Sequence, residues 1–228
     1  MTGPAAGRRE PAEERYEAVL LDSDSTLVDS AGAVRRSWEA WARRFGVPVE
    51  RLGETHGMPS RQTIARLDRE LDLGLDLEQA GAVFDEIELG DLDDVVALPG
   101  ALDALAALGD RAAVVTSADR ALASARLGAA GLPAPAVLVC ADDVERGKPD
   151  PAPYLEAAAR MGVDPAGSLV VEDSPAGVRS GRAAGASTLA LLTTTPREQL
   201  AEADLVVPDL SWVRFGVDAR GVWVSARD

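Results

Sequence analysis

The chain has 228 residues, with 38 Asp and Glu against 23 Lys and Arg and a formal net charge of -15. Hydrophobic residues make up 46% and aromatics 4%, so a core must be built from Ala, Leu and Val, with enough apolar chain for one large domain or two small ones. This excludes an acidic disordered polymer, which lacks the apolar residues to offset ordering entropy, and argues against a nucleic-acid binder, which needs a basic stripe. One cysteine, Cys140, and one histidine, His56, leave no internal disulfide framework and no Cys/His metal cluster, and point to a cytoplasmic protein.

Residues 1–15 are polar, charged and rich in Pro and Gly, and are expected to form a disordered tail rather than a secretory signal. No apolar run reaches the ~18 residues of a membrane span. Short apolar runs then follow at Ala18–Leu21, Ala112–Val115, Ala136–Cys140, Leu169–Val171, Thr188–Leu192 and Leu205–Val207. Most are continuous rather than alternating, as in strands buried on both faces of a parallel sheet. Helices are predicted between them at Gly100–Leu108, Arg120–Ala130, Pro151–Met161 and Pro175–Ala184, with Pro early in two of them. The alternation predicts a doubly wound, Rossmann-like α/β core with helices on both faces.

Residues 30–96 interrupt that alternation. Val34, Trp38, Trp41 and Phe45 recur at helical spacing, as do Ile64, Leu67 and Leu71, then Leu77, Ala80, Phe84 and Ile87. These stripes predict three or four helices inserted after the first strand as a small α-helical cap, leaving residues 16–29 and 97–228 as the core. The aromatic stripe reads as the core of that bundle rather than as a ligand-stacking surface. A cap at this point in the chain is expected to lie over the carboxyl ends of the strands, where such folds bind ligands. The apolar residues of Val213–Val224, around a turn at Asp218–Gly221, predict a terminal hairpin covering a sheet edge.

Four segments combine chemistry with a strand end or helix start. Asp22 and Asp24 follow the first strand, where residues two apart point to one side and two carboxylates can divide acid and base roles. The alternative is an acidic surface loop. Thr116-Ser117 follow the strand Ala112–Val115 and offer hydroxyls and amides for phosphate oxygens, or a plain helix cap at Ser117 or Asp119. In Arg146-Gly147-Lys148-Pro149-Asp150, Lys148 is a point charge suited to a phosphoryl group or to bridging carboxylates, whereas Arg146 fits a solvated surface. Glu172-Asp173-Ser174-Pro175 places acids at another strand end. A hard cation such as Mg2+ favours such oxygens: Asp22, Asp173 and the Asp24 carbonyl are candidate ligands, with Glu172 beside the ion or behind it.

Taken in order, D-x-D-x-T, a strand ending in Thr-Ser, Gly-Lys-Pro-Asp-Pro and Glu-Asp-Ser-Pro resemble the motifs of the haloacid dehalogenase-like superfamily over Tyr16 to Leu210. The helical insertion is similar to that superfamily's small cap. Within it, His56-Gly57 and Arg61-Gln62-Thr63-Ile64 resemble the sugar- and polyol-phosphate phosphatases.

The resemblance implies a nucleophile, Asp22, that forms an aspartyl phosphate, and Asp24 as acid and then base. It implies Thr116 and Lys148 as holders of the phosphoryl oxygens, Mg2+ as cofactor, and His56 and Arg61 as substrate contacts. The partner implied is a small phosphorylated metabolite, met by a monomer or weak homodimer. Two positions depart from the pattern. Ser25 stands beside the catalytic pair where the family usually has Gly, which could reshape the phosphate cradle. Val34 stands where family mutases carry a hinge His, which favours water over a sugar hydroxyl as acceptor. The expected activity is a Mg2+-dependent phosphatase; a phosphomutase, a dehalogenase and a weakened regulatory homologue are the alternatives.

Overall fold

A computed structural model describes residues 14–52 and 60–227. The described chain opens with β1 (Arg15–Tyr16), β2 (Ala18–Leu21) and β3 (Val28–Asp29), followed by α1 (Ala31–Phe45), α2 (Ser60–Leu71), α3 (Leu77–Leu89) and β4 (Val96–Ala97). Then come α4 (Ala101–Leu108), β5 (Ala112–Val115), α5 (Arg120–Ala129), β6 (Val137–Val139) and α6 (Ala152–Met161). The last elements are β7 (Ser168–Glu172), α7 (Pro175–Ala183), β8 (Ser187–Leu191), β9 (Leu205–Val207), β10 (Val213–Asp218) and β11 (Gly221–Ala226). The predicted strands and helices of the α/β part are all present, with ends shifted by one residue at most.

Six strands form one parallel sheet in the order β6-β5-β2-β7-β8-β9. The direction of winding reverses between β2 and β7, the crevice at which doubly wound sheets bind ligands outside the strand carboxyl ends. Period-two alternation divides the sheet residues between two clusters. Val19, Leu21, Val114 and Val171 face a cluster with Leu105 and Leu108 of α4 and Leu127 of α5. Ala18, Leu20, Val115 and Val170 face the opposite cluster with Tyr154 and Ala157 of α6. Burial on both faces explains the unbroken apolar runs, each fully buried Leu or Val contributing about 1.5–3 kcal/mol.

The helices α1, α2 and α3 have their own core of Trp38, Trp41, Ile64, Leu67, Ala80 and Phe84. Trp41 donates its indole N–H to the Ala80 carbonyl at 2.9 Å, satisfying the one polar atom of a fully buried ring. The stripes read from the sequence are therefore packing stripes, although Trp38, Phe84 and Val34 also reach the cleft described below. The helical insertion is entered and left through β3 and β4, a separate two-stranded ladder, antiparallel with Val28 opposite Ala97 and Asp29 opposite Val96. Strands of two residues have no readable period, so the stretch expected to hold only helices ends in a short strand.

Two further expectations are corrected. Arg15 belongs to β1, not to the tail, and pairs with Trp223. The terminal hairpin covers no edge of the six-stranded sheet. It forms a separate antiparallel sheet, β1-β11-β10, whose Val213, Phe215 and Val222 join the cluster beside α4. The alternate β10 residues Val213 and Phe215 are apolar and buried, so the hairpin packs by a face rather than by its backbone. Gly100 permits this approach: a Cβ there would lie 2.4 Å from the Leu210 carbonyl carbon.

Candidate active site

The site is assembled from the loops after β2, β5, β7 and β8 and the segment before α6. Asp22 continues the ladder past β2, donating its N–H to the Val171 carbonyl at 2.9 Å. The chain then turns tightly, with Leu27 and Val28 N–H both on the Ser23 carbonyl and Ser25 N–H on that of Val28. Ser25 sits at φ 66, a left-handed conformation that costs a side-chain-bearing residue about 1 kcal/mol and explains a usual preference for Gly. Thr193, just after β8, donates its hydroxyl to the Ser25 carbonyl. Because of the turn, Asp22 and Asp24 are not neighbours on a continuous strand. Their carboxylates take different partners while lining one cleft of about 450 Å³.

Lys148 lies at the centre. Its Nζ donates to Asp22 Oδ1 at 2.6 Å, to Glu172 Oε1 at 2.6 Å and to the Val115 carbonyl at 3.0 Å. Burial disfavours the charged form, but the Asp22 and Glu172 charges outweigh it and hold the ammonium well above the usual lysine range. Glu172 is fully buried and uses both oxygens. Besides Lys148, Oε1 accepts the Tyr154 hydroxyl at 2.8 Å, and Oε2 accepts Asp173 N–H, Ser174 N–H and the Ser174 hydroxyl. Its carboxylate thus rests on the N-terminus of α7, and Gly177 makes the room, since a Cβ there would sit 1.8 Å from the carboxyl carbon. Tyr154 is held well above the usual phenol range by burial and by Glu172, and remains a donor.

Carboxylate oxygens of Asp22, Glu172 and Asp173 lie within 4.8 Å of one another. Burial, with added like charge from its neighbours, pushes Asp173 up to about 7. Asp22 is driven up by burial in the same way, with Lys148 opposing. Three buried carboxylates facing one ammonium form a set of hard oxygens short of positive charge, which suits a Mg2+-type ion. Thr194, after β8, donates its hydroxyl to Asp173.

Thr116 is buried and Ser117 exposed, and both line the cleft. Of the two candidate caps, Asp119 is the one that accepts the Leu122 N–H of α5, at 2.8 Å. Arg61 also lines the cleft, on α2, held by Asp85 at 2.5 Å and the Glu78 carbonyl. Arg146 is a surface residue paired with Asp150. His56 lies outside the described residues. Asp24 accepts from the Ser30 hydroxyl at 2.6 Å and from Arg126 at 3.0 Å, with the Thr116 hydroxyl at 3.5 Å.

Arg126, Glu88, Tyr154 and Thr194 are absent from the sequence-derived set. Arg126 did leave a signal, since it stands on the same buried face of α5 as Leu122, Ala123 and Leu127. Glu88 likewise continues the Ala80–Phe84 stripe of α3 at a four-residue step.

The class of protein is a phosphoric monoester hydrolase on a doubly wound α/β sheet. The chain belongs to the haloacid dehalogenase-like hydrolase family, whose model matches residues 16–185. It is 42% identical to hexitol phosphatase A of Escherichia coli over 206 residues, covering 87% of this chain and 94% of that protein. It is 36% identical to validoxylamine A 7'-phosphate phosphatase of Streptomyces hygroscopicus over 214 residues, covering 88% and 97%. The crystal structure of a hydrolase from Pseudomonas syringae superposes with a TM-score of 0.76 at 25% identity, over 86% of this chain and 94% of that one. Phosphoglucomutases share the fold as well.

Proposed function

We propose that this hydrolase is a Mg2+-dependent phosphatase that cleaves a small phosphorylated sugar or polyol through an aspartyl-phosphate intermediate. The observation that carries the reading is the buried Asp22–Lys148–Glu172 cluster, with Asp173 alongside, at the switch point of the sheet. The relatives named as hexitol and validoxylamine phosphate phosphatases support the substrate class.

In this reading an oxygen of Asp22 attacks phosphorus in line with the ester oxygen. Asp24 gives the departing alkoxide its proton, then takes one from the water that attacks the aspartyl phosphate, and inorganic phosphate leaves. Lys148 and Thr116 steady the phosphoryl oxygens, with the exposed Ser117 and the Ser25 turn beside them. Asp22 and Asp173, with the Asp24 carbonyl, would hold Mg2+, which supplies charge to neutralise the transferring group. Glu172 has both oxygens engaged, so its part is to orient Lys148. Arg61 and His56, in a cap taken as residues 30–96, are the candidate contacts to the sugar. A cytoplasmic monomer or weak homodimer completes the reading.

A panel of phosphate esters, assayed with Mg2+ and with EDTA, tests the proposal. Phosphate release that requires the divalent ion and disappears in Asp22→Asn is expected; release unaffected by either sinks it. The second reading, a phosphomutase, draws on the shared fold and is disfavoured by the apolar Val34 lining the cleft. Isomerised sugar phosphate accumulating faster than free phosphate would revive it.

A further inference from the structure

One guanidinium joins three parts of the molecule. Arg126, on α5, is 4% exposed; its NH1 donates to Asp24 Oδ1 at 3.0 Å and its NH2 to Glu88 Oε1 at 2.8 Å. Glu88 is in the last turn of α3 and is itself buried. The second donor to Asp24 Oδ1 is Ser30, the residue that opens α1. Asp24 lies in the loop after β2, and among the described residues each support of its Oδ1 carboxylate oxygen leads to the helical insertion: Ser30 directly, Arg126 through Glu88. Buried charges paired in this way are costly to leave half-matched, so displacing α3 would strand Glu88, Arg126 or both. Oδ2 of Asp24 has the Thr116 hydroxyl at 3.5 Å, and Asp24 and Thr116 both line the cleft.

We infer that Arg126 is a positioning residue for proton donation. Anchored on Glu88, it fixes the Asp24 carboxyl toward the leaving oxygen and makes that alignment depend on α3 being seated. The inference rests on the reading of Asp24 as the proton donor. The balance of the step is unchanged: the ester P–O bond breaks, Asp22 forms the new bond to phosphorus, and the Asp24 proton ends on the departing oxygen.

The test uses two substrates and kcat/KM, which reports only steps up to loss of the alcohol. An alkyl phosphate such as a hexitol phosphate needs the proton to leave; p-nitrophenyl phosphate, whose nitrophenolate is stable, does not. In Asp24→Asn the alkyl substrate should lose on the order of 10² in kcat/KM and the aryl substrate far less. Arg126→Lys, which keeps the charge but cannot span two carboxylates, should show the same split at roughly 10-fold. Glu88→Gln should show it in the same direction and to a smaller degree. If Arg126→Lys does not fold, Glu88→Gln decides. The two variants combined should lose less than the product of their separate losses, because both act through one support.

Equal losses on the two substrates in the Arg126 and Glu88 variants, while Asp24→Asn splits them, would overturn the inference and leave the role of Asp24 intact. Equal losses in Asp24→Asn itself would overturn that reading of Asp24, and the inference with it.

Discussion

Two buried cations face the same cleft and are anchored in opposite ways. Lys148 is held by Asp22, Glu172 and the Val115 carbonyl, all at ends of neighbouring strands of one sheet. Arg126 is held by a loop carboxylate and by a helix of the insertion. The lysine centre is as rigid as the sheet that supplies its partners, which suits the proposed role of Lys148 on the phosphoryl oxygens. The arginine centre exists only while two packed units stay together. On the proposed mechanism, the contrast separates what is fixed in the site, the phosphoryl end, from what the insertion can adjust, the proton at the leaving end.

The largest expected effect is at the rigid end. Asp22→Asn should lower phosphate release by at least about 10³-fold, measured with saturating Mg2+. Lys148→Met leaves Asp22 and Glu172 buried without a counter-charge, and should cost about 3–5 kcal/mol in denaturant unfolding in EDTA. Mg2+ should restore part of that loss, because one of the two stranded carboxylates, Asp22, belongs to the proposed ion-binding set. In Arg126→Lys, Mg2+ should restore nothing; equal rescue of both variants would erase the distinction between the two centres.

The arginine centre also carries a pH signature. Burial pushes Glu88 up to about 7 from its ordinary 4.5, against the pull of Arg126. The folded protein therefore holds this proton more tightly than the unfolded chain does. Its contribution to stability is fully present below about pH 4.5 and is lost as pH rises through about 7, on the order of 3 kcal/mol in all. Glu88→Gln should flatten that part of the stability profile. A slope that persists unchanged would assign it to other groups. The smallest effect is expected from Ser25→Gly, which relieves the positive φ at the expense of a freer unfolded chain. A gain of no more than about 1 kcal/mol should appear in thermal unfolding.

The rigid centre was legible in the sequence because each member follows an apolar run or precedes a helix. Asp22, Thr116 and Asp173 stand directly after strands, and Lys148 stands just before α6. A parallel sheet brings such ends together wherever the strands are correctly ordered, so their convergence follows from the alternation itself. The arginine centre was not legible in that way. Arg126 finds Asp24 across 102 residues and Glu88 across 38, in pairings that no period encodes. Each was visible only as a charge on an apolar helix face, a hint that something must pair with it but not what. β1, β3 and β4 escaped for a different reason, since two residues cannot show alternation. The hairpin was read correctly as a hairpin, but its packing against α4 depends on a backbone approach at Gly100 that composition does not reveal.

The β3–β4 ladder has a consequence for how this enzyme could be rebuilt. Val28 lies opposite Ala97 and Asp29 opposite Val96, so the chain enters and leaves the helical insertion at adjoining backbone. Everything between can be treated as a cassette. A short turn joining Asp29 to Val96 would preserve the register on both sides, and a foreign helical unit with closely spaced ends could be grafted at the same seam. Among the described residues, Ser30 and Glu88 are the ones to replace in kind for the new insert to support Asp24, Ser30 directly and Glu88 through Arg126.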